Sequence, residues 1–536
     1  LKVSEAIMKC LIEENVEVIF GYPGATVIAI YEALRESGIK HILTRHEQAA
    51  GHSASGYARA SGKVGVCMST SGPGATNLIT AIATAYMDSI PLVAITGQVR
   101  TDQIGKDVFQ EADITGATAS FTKHNYLVKE AKDIPRIFKE AFYIARTGRP
   151  GPVLIDIPSN IQNEEIDFSY PEDVDIRGYK PTVNGHKGQI KKALELISKS
   201  RRPLICVGGG VISGKAKEEL EELVRKSGIP VVHTLMGKDG INADNPCYIG
   251  LIGTHGFSHT NKAVSKADVI VLLGTRIADR ATIGPNFAKG AEIIHIDIDP
   301  AEIGKNLGPS IPVVGDLKNI LREINKGMHS MDTKEWIEEI ISWKKESGGA
   351  DMAGEADPKS ILRKLSEISE KDAILTADVG QNQLWCARNY SITGNRRFLT
   401  SGGLGTMGYS IPAAFGAKTA EPGRQVIAVM GDGSFQMSMF ELGTIAANKA
   451  KITLILFNNY GLGLVREIQK NLFGEGHSSG VEFGMSPDFI KIAEAYGLKG
   501  KRITRNDEFE AAYMEAQEAE GAFLIECVTD TGESTF

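Results

Sequence analysis

Short, uninterrupted apolar runs, among them KVGVCMSTS, IPLVAITGQ, GPVLIDIPS, RPLICVGGG, IPVVHTLMG, ADVIVLLGT and AEIIHIDID, recur between segments of helical period. Side chains along a strand point alternately to the two faces of its sheet, so a strand that is apolar throughout needs cover on both. The intervening helices supply it. The alternation therefore predicts an α/β fold of doubly wound domains with parallel sheets. Val27, Ile30, Tyr31 and Leu34 fall at i, i+3, i+4 and i+7, and Leu220, Leu223 and Val224 precede a stop at Ser227 and Gly228.

At 536 residues the chain exceeds one core, since a domain takes roughly 150 residues. Two stretches break the alternation and read as connections: a polar, proline-bearing run from Asn163 to Gly188, and a run from Ile324 to Ser360 that ends in small and charged residues. They divide the chain into units of 1–165, 188–325 and 358–536. The balance of 59 basic to 66 acidic residues argues against nucleic acid as the main partner. Six scattered cysteines form no metal or disulfide pattern and fit reduced, mostly buried thiols. No run reaches the roughly 18 apolar residues of a membrane span, and there is no leader, so a soluble cytoplasmic protein is expected. The chain starts at Leu1 without a methionine and reads as incomplete at its ends.

The most informative local feature is RQVIAVMGDGSFQM, a strand that ends in Gly431, Asp432, Gly433 and Ser434 and opens a helix. The next strand, in LILFNNYGLGLVREIQ, ends at Asn459, 27 residues after Asp432. Successive parallel strands finish on one sheet edge, so an Asp carboxylate and an Asn carbonyl converge there. Both are hard oxygen donors suited to Mg²⁺ or Ca²⁺. The Gly-Asp-Gly turn also aims helix N-terminal amides at that point, which favours a diphosphate.

This spacing resembles the thiamine diphosphate-binding motif. The phrases RHEQAAGHSASGYARASGKVGVC, TSGPGATNL, AYMDSIPLVAITGQV, RPGPVLIDIP and TSGGLGTMGYSIPAA extend the resemblance to the acetolactate synthase (acetohydroxyacid synthase) catalytic-subunit family, from GYPGATVIAIYEAL near the start to GAFLIECV near the end. The resemblance implies a pyrimidine-binding first domain, a central FAD-type domain and a last domain that binds diphosphate and Mg²⁺. It assigns Glu47 to the pyrimidine N1′, Met407 to support of the bent cofactor, and the Gly405 carbonyl to the aminopyrimidine. Metal ligands would be Asp432, Asn459 and the Gly461 carbonyl. Further thiamine diphosphate contacts would come from Tyr22, Pro23, Gly24, Asn77, Gly380, Gln381, Asn382, Gly433, Ser434, Leu462, Gly463 and Leu464.

The implied reaction is decarboxylation of pyruvate and transfer of its two-carbon unit to a second 2-oxo acid, giving 2-acetolactate, the first common step of valine, leucine and isoleucine synthesis. Phe109 and Gln110 match catalytic-pocket residues, and Phe109, Arg276 and Ile468 the substrate pocket. For FAD, a structural cofactor in this family, the matching positions are Arg149, Gly208, Gly209, Gly210, Thr234, Leu235, Met236, Gly274, Arg276, Arg280, Asp297, Ile298 and Asp316. The family places Glu47 and the diphosphate site on different chains, so a homodimer or dimer of dimers is implied, with a small regulatory subunit as a further partner.

Several positions depart from the family pattern: Ser159 replaces a pocket lysine, Ile277 and Ala278 stand in RIADR where RFDDR is usual, and Asn382 replaces a common histidine. At Ile468 the family carries a tryptophan that helps select 2-oxobutyrate, so pyruvate is expected as acceptor. Other thiamine diphosphate-dependent decarboxylases, oxidases or acyltransferases share Glu47, Asp432 and Asn459. A pyridine-nucleotide oxidoreductase lacks its strict G-x-G-x-x-G here, a serine hydrolase lacks the last glycine around Ser53, and a non-catalytic homologue would not need the three polar residues.

Overall fold

The computed structural model describes residues 1–282, 287–344 and 353–536. It contains three parallel six-stranded sheets. The first holds β1 (Val18–Tyr22), β2 (Lys40–Leu43), β3 (Gly65–Ser69), β4 (Leu92–Gln98), β5 (His124–Leu127) and β6 (Pro152–Pro158), in the order β2-β1-β3-β4-β6-β5. The second holds β7 (Pro203–Val207), β8 (Val231–His233), β9 (Tyr248–Leu251), β10 (Val269–Leu273), β11 (Glu292–Asp297) and β12 (Ile311–Val314), ordered β12-β11-β10-β7-β8-β9. The third holds β13 (Ile374–Ala377), β14 (Arg397–Thr400), β15 (Val426–Gly431), β16 (Thr453–Asn458), β17 (Lys499–Ile503) and β18 (Phe523–Val528), ordered β14-β13-β15-β16-β18-β17.

The apolar runs all became strands, and β3, β4, β6, β7 and β10 are buried at every position. Helix Ile28–Ser37 turns Ile30 and Leu34 into the core and ends at Gly38, whose φ of +80° closes it at little steric cost. Helix Lys217–Ser227 buries Leu220, Leu223 and Val224 and ends at Gly228 with φ +71°.

The first and third sheets share one strand order, a relation that no sequence repeat announces. Helix Glu47–Ser61 follows β2 and helix Ser410–Ala420 follows β14, the same slot in each unit, and the two helices pack on one another. Contact is close enough that a Cβ at Gly56 would overlap the Ala413 carbonyl, and one at Gly416 the Ser53 carbonyl. One apolar core runs across both units, with Phe20 edge-on to Phe415 at 6.3 Å between ring centroids. Arg59 Nη1 donates to the Thr400 carbonyl at 2.7 Å, and the Ser55 and Tyr409 hydroxyls lie 2.9 Å apart.

The two connecting stretches are partly folded onto their neighbours. Val3 N donates to Glu164 O and Ile166 N to Leu1 O, both at 2.9 Å, while Phe168, Tyr170 and Tyr179 pack on the first unit. Helix Lys334–Ser342 buries Trp336 and Ile340 in the middle unit, with Trp336 Nε1 donating to Pro203 O at 3.0 Å. The small and charged patch at 345–352 lies outside the described residues. Among the described residues no cysteines pair, and no helix is long and apolar enough to cross a membrane.

Replacing Gly416 by valine is expected to destabilise the fold by about 3 kcal/mol or more, because backbone on a facing helix cannot yield as a flexible side chain would. Gly521, with open space around its Cα, is the control: its valine variant stays within about 0.5 kcal/mol. Denaturant unfolding of both variants checks the difference.

Candidate active site

At the carboxyl edge of the third sheet a pocket is lined by Val379, Gly380, Gln381, Asn382, Met407, Asp432, Gly433, Ser434, Asn459 and residues 461–465. Three helices begin there: Gln381–Asn389, Asp432–Ser438 and Gly463–Phe473. Their first-turn N–H groups have no intrahelical acceptors, so the pocket presents converging donors and positive dipole ends to an anion. It sits between β13 and β15, where the strand order reverses and α/β sheets open a crevice.

Asp432 is buried. Its Oδ1 accepts from Gly433 N at 3.1 Å, while Oδ2 has no hydrogen-bond partner. An orphaned buried carboxylate oxygen is costly unless a cation or donor completes it. Burial pushes the carboxyl up to about 7, against the lowering effect of nearby amides and Arg466. Asn459 Nδ2 donates to Gln381 Oε1 at 3.0 Å, which turns the amide oxygen the other way. Tyr460, between Asn459 and Gly461, has φ +59°. Among the described residues no three His, Cys, Asp or Glu side chains group as a metal site. A divalent cation at Asp432 would therefore draw on amide, carbonyl and ligand oxygens, all hard donors suited to Mg²⁺.

The adjacent asparagine serves the fold. Asn458 Nδ2 donates to Glu526 Oε1 at 2.8 Å, and its Oδ1 accepts from Tyr460 N at 3.2 Å.

A second group of expected residues gathers on the first sheet's carboxyl edge. Glu47 opens its helix and accepts from Asn77 Nδ2 at 2.9 Å. Tyr22 ends β1 and Pro23 and Gly24 follow it, and a Cβ at Gly24 would overlap Thr70. Gly72, at φ +58°, lies against Gln110, itself at φ +60°. Phe109 is 86% exposed, far from the buried state of a core aromatic. None of these residues lines the Asp432 pocket. Gly405, at φ +72°, lies beside that pocket in the loop that carries Met407, and Ile468 is 39% exposed on helix Gly463–Phe473, none of whose residues is buried.

The third locus is a cleft where all three units meet, with about 1180 Å³ of space including its open mouth. Gly209, Gly210, Thr234, Leu235, Met236, Gly274, Arg276, Arg280, Asp297 and Ile298 line it, with Arg149 from the first unit. Here β7 and β10 pair, and the connections that follow them run to opposite sides, the switch point of a 3-2-1-4-5-6 order. Burial pushes the Asp297 carboxyl up to about 6.

Two expected cleft residues have other roles. Gly208 serves close packing, since a Cβ there would overlap the Gly274 carbonyl. Asp316 caps helix Leu317–Gly327 by accepting from Asn319 N at 3.0 Å and does not line the cleft. Sequence reading missed Asp88 and Glu302, both at the cleft. Arg149 Nη1 reaches Glu302 Oε1 at 2.7 Å and Asp299 Oδ2 at 3.3 Å, while buried Glu302 Oε2 has no partner. Lone acids without a motif carry no such signal in the sequence.

Three family models match this arrangement unit by unit: the N-terminal TPP binding domain of thiamine pyrophosphate enzymes over residues 1–117, their central domain over 190–324 and their C-terminal TPP binding domain over 378–527. A pocket of helix N-termini around an orphaned carboxylate is what the last of these domains requires, and the chain is a thiamine diphosphate-dependent enzyme. Over 100% of its length it is 47% identical to a probable acetolactate synthase large subunit of Methanocaldococcus jannaschii, covering 93% of that relative. It is 45% identical to an acetolactate synthase of Mycobacterium bovis, over 94% of this chain and 84% of the relative. A large subunit from Haemophilus influenzae is 43% identical, over 96% and 91%. The chain belongs to the acetolactate synthase large-subunit family.

A cation at Asp432 must take it as the carboxylate. With the carboxyl raised to about 7 by burial, Mg²⁺ association is expected to fall about tenfold per pH unit below 7 and to level off above it. Titration of Mn²⁺ as a paramagnetic substitute between pH 5 and 8 checks the slope. A flat profile would mean either that Asp432 stays ionised across this range or that the cation does not bind it.

Proposed function

We propose that the protein condenses two 2-oxo acids with loss of carbon dioxide, with pyruvate as donor and preferred acceptor and 2-acetolactate as product. Two pyruvates and one proton give one acetolactate and one carbon dioxide. The observation that carries the reading is the unpartnered Asp432 Oδ2 in a pocket faced by three helix N-termini.

Bound thiamine diphosphate supplies the nucleophilic carbon and the electron sink that decarboxylation needs. Asp432, the Asn459 amide oxygen and the Gly461 carbonyl hold Mg²⁺. Amides around Gly380, Gln381, Gly433, Ser434, Gly463 and Leu464 receive the diphosphate, with Asn382 and Leu462 closing its sides. Met407 would support the bound cofactor by packing against it, and the Gly405 carbonyl would accept from its aminopyrimidine. Glu47, which accepts from Asn77 Nδ2, would hold a proton shared with the pyrimidine N1′ and so supply the acid–base function there. Phe109 and Gln110, with the wall at Tyr22, Pro23 and Gly24, orient the substrate and exclude water.

Glu47 does not line the pocket that holds Asp432. That separation, together with exposed Phe109, Leu404 and Met437, supports a site completed between two copies, in a homodimer or dimer of dimers. The three-unit cleft suits FAD in a structural role, with Asp297 and the free Glu302 oxygen as acceptors and Arg276 and Arg280 near the flavin. The relatives' designation as large subunits supports a small regulatory partner, and their acetolactate synthase name supports a place in branched-chain amino-acid synthesis.

Pyruvate should yield acetolactate and carbon dioxide only when both thiamine diphosphate and Mg²⁺ are supplied. Glu47→Gln should lower the rate about 100-fold or more; an unchanged rate would sink the mechanism. Acceptor choice depends on Ile468, where a tryptophan wall is missing. With equal pyruvate and 2-oxobutyrate, no preference for 2-oxobutyrate is expected, and Ile468→Trp should raise the 2-oxobutyrate-derived share by about fivefold or more. Product ratios measured by chromatography decide.

A further inference from the structure

Residues 401–409 join β14 to helix Ser410–Ala420 without regular structure, and they carry Gly405 and Met407. With glycine at 402, 403, 405 and 408 the segment has no intrinsic preference for one shape. It is nevertheless gripped from both sides.

On one side stands Asp378, fully buried, one residue beyond β13. Its Oδ1 accepts from Gly408 N at 2.9 Å and from Val379 N at 2.8 Å, and its Oδ2 accepts from Ser410 N at 2.8 Å. The same residue backs the diphosphate pocket. Its carbonyl accepts from Asn382 Nδ2 at 2.6 Å, and the Ser434 hydroxyl donates to the next carbonyl, Val379 O, at 3.2 Å.

On the other side stands Asp88 of the first unit. Its Oδ1 accepts from Gly403 N at 2.7 Å and its Oδ2 from Gly402 N at 3.3 Å. Just beyond, the Thr84 and Thr406 hydroxyls lie 2.7 Å apart, and Thr406 N donates to Ser401 Oγ at 2.9 Å. Anionic acceptors make the stronger hydrogen bonds, and here they hold backbone N–H groups on either side of Met407.

We propose that Asp378 and Asp88 are positioning residues that clamp residues 402–410 from opposite sides, so that the Met407 side chain and the Gly405 carbonyl stand ready before the cofactor binds. The inference rests on the reading of those two residues as the cofactor's support. A preformed loop spares the cofactor the cost of ordering it. Both carboxylates are needed as carboxylates. Each oxygen of Asp378 faces an N–H, so an amide in its place would oppose donor to donor whichever way it turned.

Hydrogen exchange read by mass spectrometry on the cofactor-free full chain tests this directly. In the wild type, amides of 402–410 should exchange slowly. Asp378→Asn should speed them about tenfold or more while peptides of β13 and β15 stay unchanged, and Asp88→Asn should do so at 402–406. Thiamine diphosphate affinity in the presence of Mg²⁺, followed by quenching of tryptophan fluorescence at Trp385 beside the pocket, should weaken about tenfold in Asp378→Asn. Fast wild-type exchange at 402–410 would overturn the clamp, a result that needs no variant to fold. So would faster exchange throughout the last unit of Asp378→Asn, or no change in either measurement. If the exchange pattern holds but Met407→Ala leaves cofactor affinity and acetolactate formation unchanged, the clamp stands and the reading of Met407 fails.

Discussion

The close packing of helix Glu47–Ser61 on helix Ser410–Ala420 is the contact on which the rest depends. Glycine and alanine at the crossing bring the two backbones into contact, and larger residues would hold the first and last units apart. Around that contact a single core of Phe20, Tyr57, Phe415, Phe435 and their neighbours excludes water from both sheets. The fixed relation of the units carries to their functional edges. The backbone N–H groups of Arg45 and His46, just before Glu47, both donate to Glu441 Oε1, at 2.7 and 3.1 Å. Glu441 lies at the end of the segment that Asp432 opens, so the position of Glu47 is tied to the helix that carries Asp432.

From this frame the functional groups emerge at strand ends, where parallel topology brings them to one edge. The paired asparagines show how finely the work is divided. Asn458 still belongs to β16 and spends its amide on Glu526, whose other oxygen takes Arg502 Nε at 2.8 Å. Asn459, one residue on, faces the opposite way and meets Gln381. Alternation of side chains along an extended backbone makes the first a closure of the sheet and the second a pocket residue.

Much of this was legible in the residues because burial on both faces forces a continuous apolar run, and every quoted run became a strand. The edge strands were harder to see. KHIL at β2 and KGKRI at β17 carry charge and partial exposure because one flank has no neighbouring strand, and their residues give little periodic signal. The Asp432 pocket was legible because its parts lie on consecutive strands at a spacing that topology converts into proximity. The cleft was less so: Asp88, Arg149, Glu302 and Gly402 come from distant parts of the chain and meet only through domain packing. Asp316 misled because an acid after Gly315 at a strand end suits a ligand contact and a helix cap equally well, and Asn319 N took it.

Backbone strain marks the same places. Gln110, Ile277 and Tyr460 all adopt positive φ, a conformation that is an outlier for a β-branched or bulky side chain, and each adjoins an expected ligand contact. Such a residue costs about 1–3 kcal/mol and survives only where its surroundings over-determine it. At Tyr460 the determinants are visible: Asn458 Oδ1 holds its N–H, and Leu462 N donates to Val481 O at 2.8 Å just beyond. A relaxed extended chain would run on past the sheet edge, with residues 459 and 461 on one face. The left-handed turn between them reverses the chain at the pocket, and with Gly463 too crowded by Gln381 and Asn459 to bear a side chain, the helix N-terminus can close directly over the carboxylate of Asp432.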